Sequence, residues 1–214
     1  MTQEPTTLSA RSETPELVLG LDTSGGYCAA ALVADGAVLV STCEEMTRGQ
    51  AERLMPLLED ILAQASVGWH DLSALGVGIG PGNFTGIRIG VSAARGLALG
   101  LDVPAVGVSG CEARVHLASP GTICAIPAPR DTVYLCDPVE PSNLPSQMPI
   151  TQAEADARDA GLRLQAAHDP KALAQAIALI AAARWRTTNQ PPAPLYVRAA
   201  NAALSQDTPP VLLD

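Results

Sequence analysis

The stretch from Gly76 to Gly100, GVGIGPGNFTGIRIGVSAARGLALG, constrains the fold more than any other part of the chain. A short apolar run leads into a loop of glycine and proline, then into a segment with apolar residues at helical spacing. Proteins use this strand, loop and helix order to hold phosphate, because glycines let the backbone approach an anion and a helix N-terminus favours negative charge. It is not a Walker A loop, since it does not fit G-x-x-x-x-G-K-[ST] and no lysine is near. Two readings stay open. Either Gly82, Asn83 and Thr85 contact an anion or nucleotide, or Asn83 or Thr85 caps the helix with no ligand at all.

The segments on either side supply the frame. Leu17–Asp22 is apolar throughout, like a buried strand, and a TSGG turn follows. Residues 27–43 form a hairpin bent at Asp35-Gly36, a pair that supplies the positive φ angles of a type I′ turn. Leu54, Leu57, Leu58, Ile61, Leu62 and Ala65 follow helical spacing, interrupted by Pro56, which predicts a kink. A strand before Gly80, a helix over Phe84–Leu99, a strand at 105–109 and a short helix over 110–118 complete an order of βββαβαβα. A meander with right-handed crossovers adding parallel strands accounts for that order, and by itself it implies an α/β fold with a mixed sheet.

We place a first lobe at 17–118 and a second at 119–214. The second lobe holds a strand pair (TICAIPA, TVYLCD), a proline-rich loop at 138–149 and a short helix with Thr151 and Glu154 in capping-box register. A long helix follows, with Asp169 as N-cap and Pro170 in its first turn, and then a proline-rich tail.

Composition narrows the partners. The chain of 214 residues carries a net charge of -9, so it lacks the electrostatic footprint of a protein that grips nucleic acid alone. Arg184 and Arg186 read as a solvated helix end. The five cysteines, Cys28, Cys43, Cys111, Cys124 and Cys136, form no C-x-x-C pair and read as reduced thiols in a cytosolic protein. Residues 1–16 are polar with no apolar h-region and read as a disordered leader. No run is long enough for a membrane span.

Placed on a wheel, the second helix turns Ile87, Val91, Ala94 and Ala98 toward the sheet. Gly86, Gly90, Ala93 and Leu97 fall on another face, nearly all of it small, and Arg88, Ser92 and Arg95 form a polar edge. A glycine inside a helix costs about 0.5–1 kcal/mol relative to alanine, so close approach to another helix is expected in compensation. That helix is the chain's own kinked one, a partner's, or both. Met55 and Leu62 lie off the main Leu54/Leu58/Ile61/Ala65 stripe, so the kinked helix carries more apolar residues than one face needs.

The sequence resembles the TsaB (YeaZ) family of bacterial proteins required for threonylcarbamoyladenosine in tRNA. The resemblance rests on LGLDTS, AERLMPLLEDIL, GPGNFTGIRIG, GLALG and VPAVGVS, and runs from Leu17 to about Ala113, with PLYVR matching near the end. Beyond Thr122 it weakens. Arg130 and Val133-Tyr134 align with the family's Asp-Ala-Arg and Val-Tyr motifs, but Pro127 stands where the aspartate is expected, and Gln50 where a histidine is usual. The resemblance implies an actin-like ATPase (ribonuclease H-like) fold of two lobes, the second shortened. It also implies a non-catalytic scaffold for modification at tRNA position 37. The implied partners are the catalytic paralogue TsaD, the ATPase TsaE, a second copy of the chain, and tRNA only through the complex. Pairing would use the two helices, through Leu54, Met55, Leu58, Leu62, Gly86, Gly90, Ala93 and Leu97.

The alternative is an active ATPase or small-molecule kinase of the same fold. In actin-like kinases an aspartate after the first strand faces Mg-phosphate, which would cast Asp22 and Thr23 with Gly82, Asn83 and Thr85 as contacts for ATP or ADP. Otherwise Asp22 and Thr23 satisfy turn backbone groups, and one carboxylate makes a weak metal site. His70, His116 and His168 include no pair one helical turn apart, the spacing that aims two imidazoles at one metal, and no G-x-S-x-G elbow occurs.

Overall fold

The computed structural model describes residues 15–197. Most of the expected leader and the end of the tail lie outside them. Glu16, the last residue assigned to the leader, is paired: its N–H donates to Asp35 Oδ1 and its carbonyl accepts from Asp35 N–H.

Five strands form the first sheet: β1 (Leu17–Asp22), β2 (Tyr27–Ala34), β3 (Ala37–Glu45), β4 (Leu72–Gly78) and β5 (Ala105–Val108), in the order β3-β2-β1-β4-β5. β1, β2 and β3 are an antiparallel meander, while β4 pairs parallel to β1, and β5 to β4. Asp35 and Gly36 both take positive φ at the β2–β3 bend. The crossovers are α1 (Gln50–Gln64), with Pro56 inside it, and α2 (Phe84–Leu101).

Strand alternation decides which helix lies on which face. Leu17, Leu19 and Leu21 of β1 pack with Leu54, Leu58 and Ile61 of α1 and with Ile87 and Val91 of α2. Val18, with Ala29, Ala31 and Val33 of β2, faces the opposite way, against a helix near the end of the chain, α5 (Pro170–Arg184). A Cβ on Gly20 would lie 2.7 Å from Ala178 Cβ, and one on its cross-strand partner Gly76 2.8 Å from Ala181 Cβ. The missing side chains on two adjacent strands let an alanine-rich helix settle directly on the backbone. A boundary at 118/119 therefore does not separate two packing units, because α5 closes the core of the first lobe.

After α3 (Gly110–His116) come β6 (Thr122–Ala128), β7 (Thr132–Leu135), β8 (Ser146–Pro149), α4 (Ile150–Asp159) and β9 (Arg163–Gln165). The strands form a second mixed sheet, β8-β7-β6-β9, with β6 parallel to β9. The result is an actin-like (ribonuclease H-like) arrangement of a five-stranded and a four-stranded mixed sheet.

Three local expectations need correction. α4 begins at Ile150 behind Pro149, so Thr151 is already helical and no side chain caps the end. Arg184 is not a solvated end: it pairs with Glu112 of α3 and donates to Gly107 O, tying α5 to both. Cys111 and Cys136 form a disulfide between α3 and the end of β7, leaving Cys28, Cys43 and Cys124 free. Residues 25 apart in sequence meet here because the second sheet folds back onto α3, which spacing alone does not reveal.

Candidate functional site

The glycine loop meets the β1–β2 turn directly. Asn83 N–H donates to Ser24 O at 2.7 Å, and Thr23 Oγ1 donates to Gly86 O at 2.6 Å. Asn83 caps α2, its Oδ1 accepting from Gly86 N–H at 3.0 Å. A Cβ on Gly86 would sit 2.0 Å from Thr23 O, one on Gly82 2.4 Å from Ser24 O, and one on Gly90 2.6 Å from Thr23 Oγ1. The glycines thus let loop and helix close on the turn.

Asp22 is consumed by the same junction. Only 3% exposed, it accepts from Ser24 N–H on Oδ1 and from the Tyr27 hydroxyl on Oδ2. Burial, and then the Asp22 carboxylate, push the Tyr27 hydroxyl far above its ordinary value, so it stays a donor. Thr23 is buried as well. The structure brings Asp22 and Thr23 together with Gly82 and Asn83, but as a packed junction whose polar groups satisfy one another. Thr85 is exposed in the first turn of α2. Gly82 and Asn83 are exposed as well, and with Ser24, Gly25 and Gly26 they line a cleft of ≈490 Å³.

The two-helix surface also differs from expectation. Leu54, Leu58 and Leu62 are 1%, 0% and 3% exposed, and Gly86 and Gly90 are buried, so these five face the chain's own core. The apolar stripe of α1 is wide because the helix packs on the sheet with Leu57 and Ile61 beside them. Met55, Ala93 and Leu97 are half-buried at the rim. The outward surface includes Glu52, Pro56 and Glu59 on α1 and Ser92, Arg95, Gly96, Leu99 and Gly100 on α2. Leu99 is 87% exposed. Among the described residues, a Cβ on Gly96 or Gly100 would meet no heavy atom within 4 Å, so no packing there accounts for either glycine.

One contact was missed by spacing. Leu195 N–H donates to Ile79 O, which brings Tyr196 beside the first turn of α2. Arg88 Nε donates to the Tyr196 hydroxyl at 2.8 Å, and its guanidinium lies 3.8 Å from the centre of the exposed Phe84 ring. The PLYVR stretch was the available signal, but a partner 108 residues away cannot be read from a motif.

With this geometry in place, similarity to known proteins is informative. Residues 42–153 match the family model described as TsaD: tRNA N6-adenosine threonylcarbamoyltransferase. An uncharacterized protein of Mycobacterium tuberculosis, Rv3421c, is 32% identical over 202 residues, covering 86% of this chain and 93% of the relative. The tRNA threonylcarbamoyladenosine biosynthesis protein TsaB of Escherichia coli is 42% identical over 92 residues, 43% of this chain. The crystal structure of YeaZ from Pseudomonas aeruginosa superposes with a TM-score of 0.65 at 27% identity, covering 85% of this chain and 99% of that one. This chain belongs to the TsaB (YeaZ) family. It spans 39% and 51% of the lengths of the TsaB proteins of Escherichia coli and Haemophilus influenzae. Among the described residues, no helix is long and apolar enough to cross a membrane.

Proposed function

We propose that the chain is a non-catalytic subunit for threonylcarbamoyladenosine formation in tRNA, working in the cytoplasm and acting through the outward face of α1 and α2. Relatives named for that biosynthesis support the pathway. The observation that carries the surface is the pair Gly96 and Gly100, exposed inside or at the end of α2 with open space around them. Each costs helix stability relative to alanine, and no contact among the described residues offsets it. A second helix lying close along α2 would. Met55, Ala93, Leu97 and Leu99 supply the apolar rim of that contact.

The occupant proposed is the catalytic paralogue, a TsaD-type transferase, with a TsaE-type ATPase completing the assembly and tRNA reached only through the complex. The same face serves for pairing of two copies when the paralogue is absent. Asp22, bonded through both oxygens, supports a scaffold role rather than phosphoryl transfer. Size-exclusion chromatography of the chain mixed with a TsaD-type protein tests the surface. A stable complex with wild type, lost in Gly96→Leu while the isolated variant melts no lower than wild type, is expected. Complex formation unchanged by Gly96→Leu overturns the assignment of this face.

A further inference from the structure

We infer that the cleft between the two lobes binds a small organic anion on Arg114. The cleft measures ≈490 Å³, within the range of small-molecule sites (~300–1,000 Å³). Its walls are largely apolar or aromatic, including Tyr27, Pro81, Ile126, Pro129 and Tyr134, and Arg114 is its one basic side chain.

Arg114 forms no direct ion pair among the described residues. Its guanidinium makes one hydrogen bond among them, from Nη1 to Gly110 O at 3.1 Å. Its Nε is enclosed with no acceptor among the described residues. The Asp22 carboxylate attracts it without a direct ion pair, its oxygens accepting from Ser24 and Tyr27. Burial disfavours the charged guanidinium, and Tyr27 and Asp22 oppose that only in part. A desolvated charge is costly unless paired, and a carboxylate or phosphate is the partner that arginine bonds most strongly. A ligand in this cleft therefore supplies what the fold leaves out.

The geometry also limits the ligand. The Asn83–Ser24 bond closes the glycine loop against the turn, so the anion sits on Arg114 rather than on the helix N-terminus. One anionic head and a compact unsaturated body against Tyr27, Tyr134 and Pro129 describe the class, with head either carboxylate or phosphate. This site is independent of the α1/α2 face and stands whether or not that face binds a partner.

Titrating the full chain with benzoate and with phenyl phosphate, followed by calorimetry, tests the site and separates the two heads. Saturable binding of at least one probe is expected, with Kd about millimolar or tighter. Arg114→Gln should weaken it by about tenfold or more, as expected for loss of a charge-assisted bond. Gly26→Asp is the second variant. A Cβ there meets only Met46 O at 3.5 Å, so the fold tolerates it, and the new carboxylate at the cleft lining repels the probe severalfold. If Arg114→Gln does not fold, Gly26→Asp decides. No saturation by either probe, or unchanged affinity in the folded variant, overturns the proposal.

Discussion

The hydroxyl of Thr23 donates to the carbonyl of Gly86 across 63 residues of sequence, at 2.6 Å and out of contact with water. This bond joins the turn after the first strand to the first turn of α2. It explains why the helix there is glycine: any side chain at 86 would occupy the space of the Thr23 backbone.

The two kinds of glycine in α2 should therefore respond in opposite ways. Gly86→Ala forces a Cβ against backbone at 2.0 Å and should cost about 1–3 kcal/mol, lowering the melting temperature by several degrees. Gly90→Leu should damage the fold in the same way, because it meets Thr23 and Leu21 rather than a partner. Gly96→Ala meets nothing and should stabilise the isolated chain by about 0.5–1 kcal/mol. Thermal melts of the three variants check the ranking, and equal effects at 86 and 96 would contradict it.

The cysteines give a second expectation. Purified without reductant and unfolded in denaturant, the chain should show three titratable thiols, from Cys28, Cys43 and Cys124, rising to five after reduction. In the native state Cys28 should resist alkylation near neutral pH. Burial, and then the Glu44 charge, push its thiol up to about 11, leaving almost no thiolate to react. Mass spectrometry of alkylated peptides reads both results. Five thiols before reduction would remove the Cys111–Cys136 link.

Acid sensitivity should report His168. Burial, and then the charge of Arg114, hold this imidazole below its ordinary value near 6.5, and its Nδ1 is enclosed with no partner among the described residues. The unfolded chain then binds the proton more readily than the fold. Stability from this group is complete above about pH 6.5 and is lost as pH falls through the depressed folded value. Denaturant melts across that window should show a shallower acid slope in His168→Gln. An identical slope would mean that His168 is not coupled to folding.

The first lobe was legible because its signals are local. Leu17–Asp22, the Asp35-Gly36 bend and the Asp169 cap with Pro170 each carry their structure in a few adjacent residues. What could not be read depends on long-range return of the chain. α5 alternates too little to show which sheet it covers, and only Gly20 and Gly76 lying opposite Ala178 and Ala181 reveal it. The wheel of α2 put Gly86 and Gly90 on a face apart from Ile87 and Val91, whereas all four are buried. It could not tell that Gly86 and Gly90 face inward while Gly96 and Gly100 face out, because glycine gives no hydrophobic signal. The second lobe's short β8 and β9 lie in polar, proline-containing sequence and are set by pairing with β7 and β6.

The central claim is that the chain supports tRNA modification through the outward face of α2 without performing the chemistry. The most direct measurement is the yield of threonylcarbamoyladenosine, by mass spectrometry, in a reaction of tRNA and threonylcarbamoyl adenylate with TsaD-type and TsaE-type proteins. Product should require this chain, should be absent with this chain alone, and should fall by about tenfold or more with Gly96→Leu, a substitution that meets no described residue and should not lower the melt. Product formed by this chain alone, or undiminished yield with folded Gly96→Leu, would contradict the account.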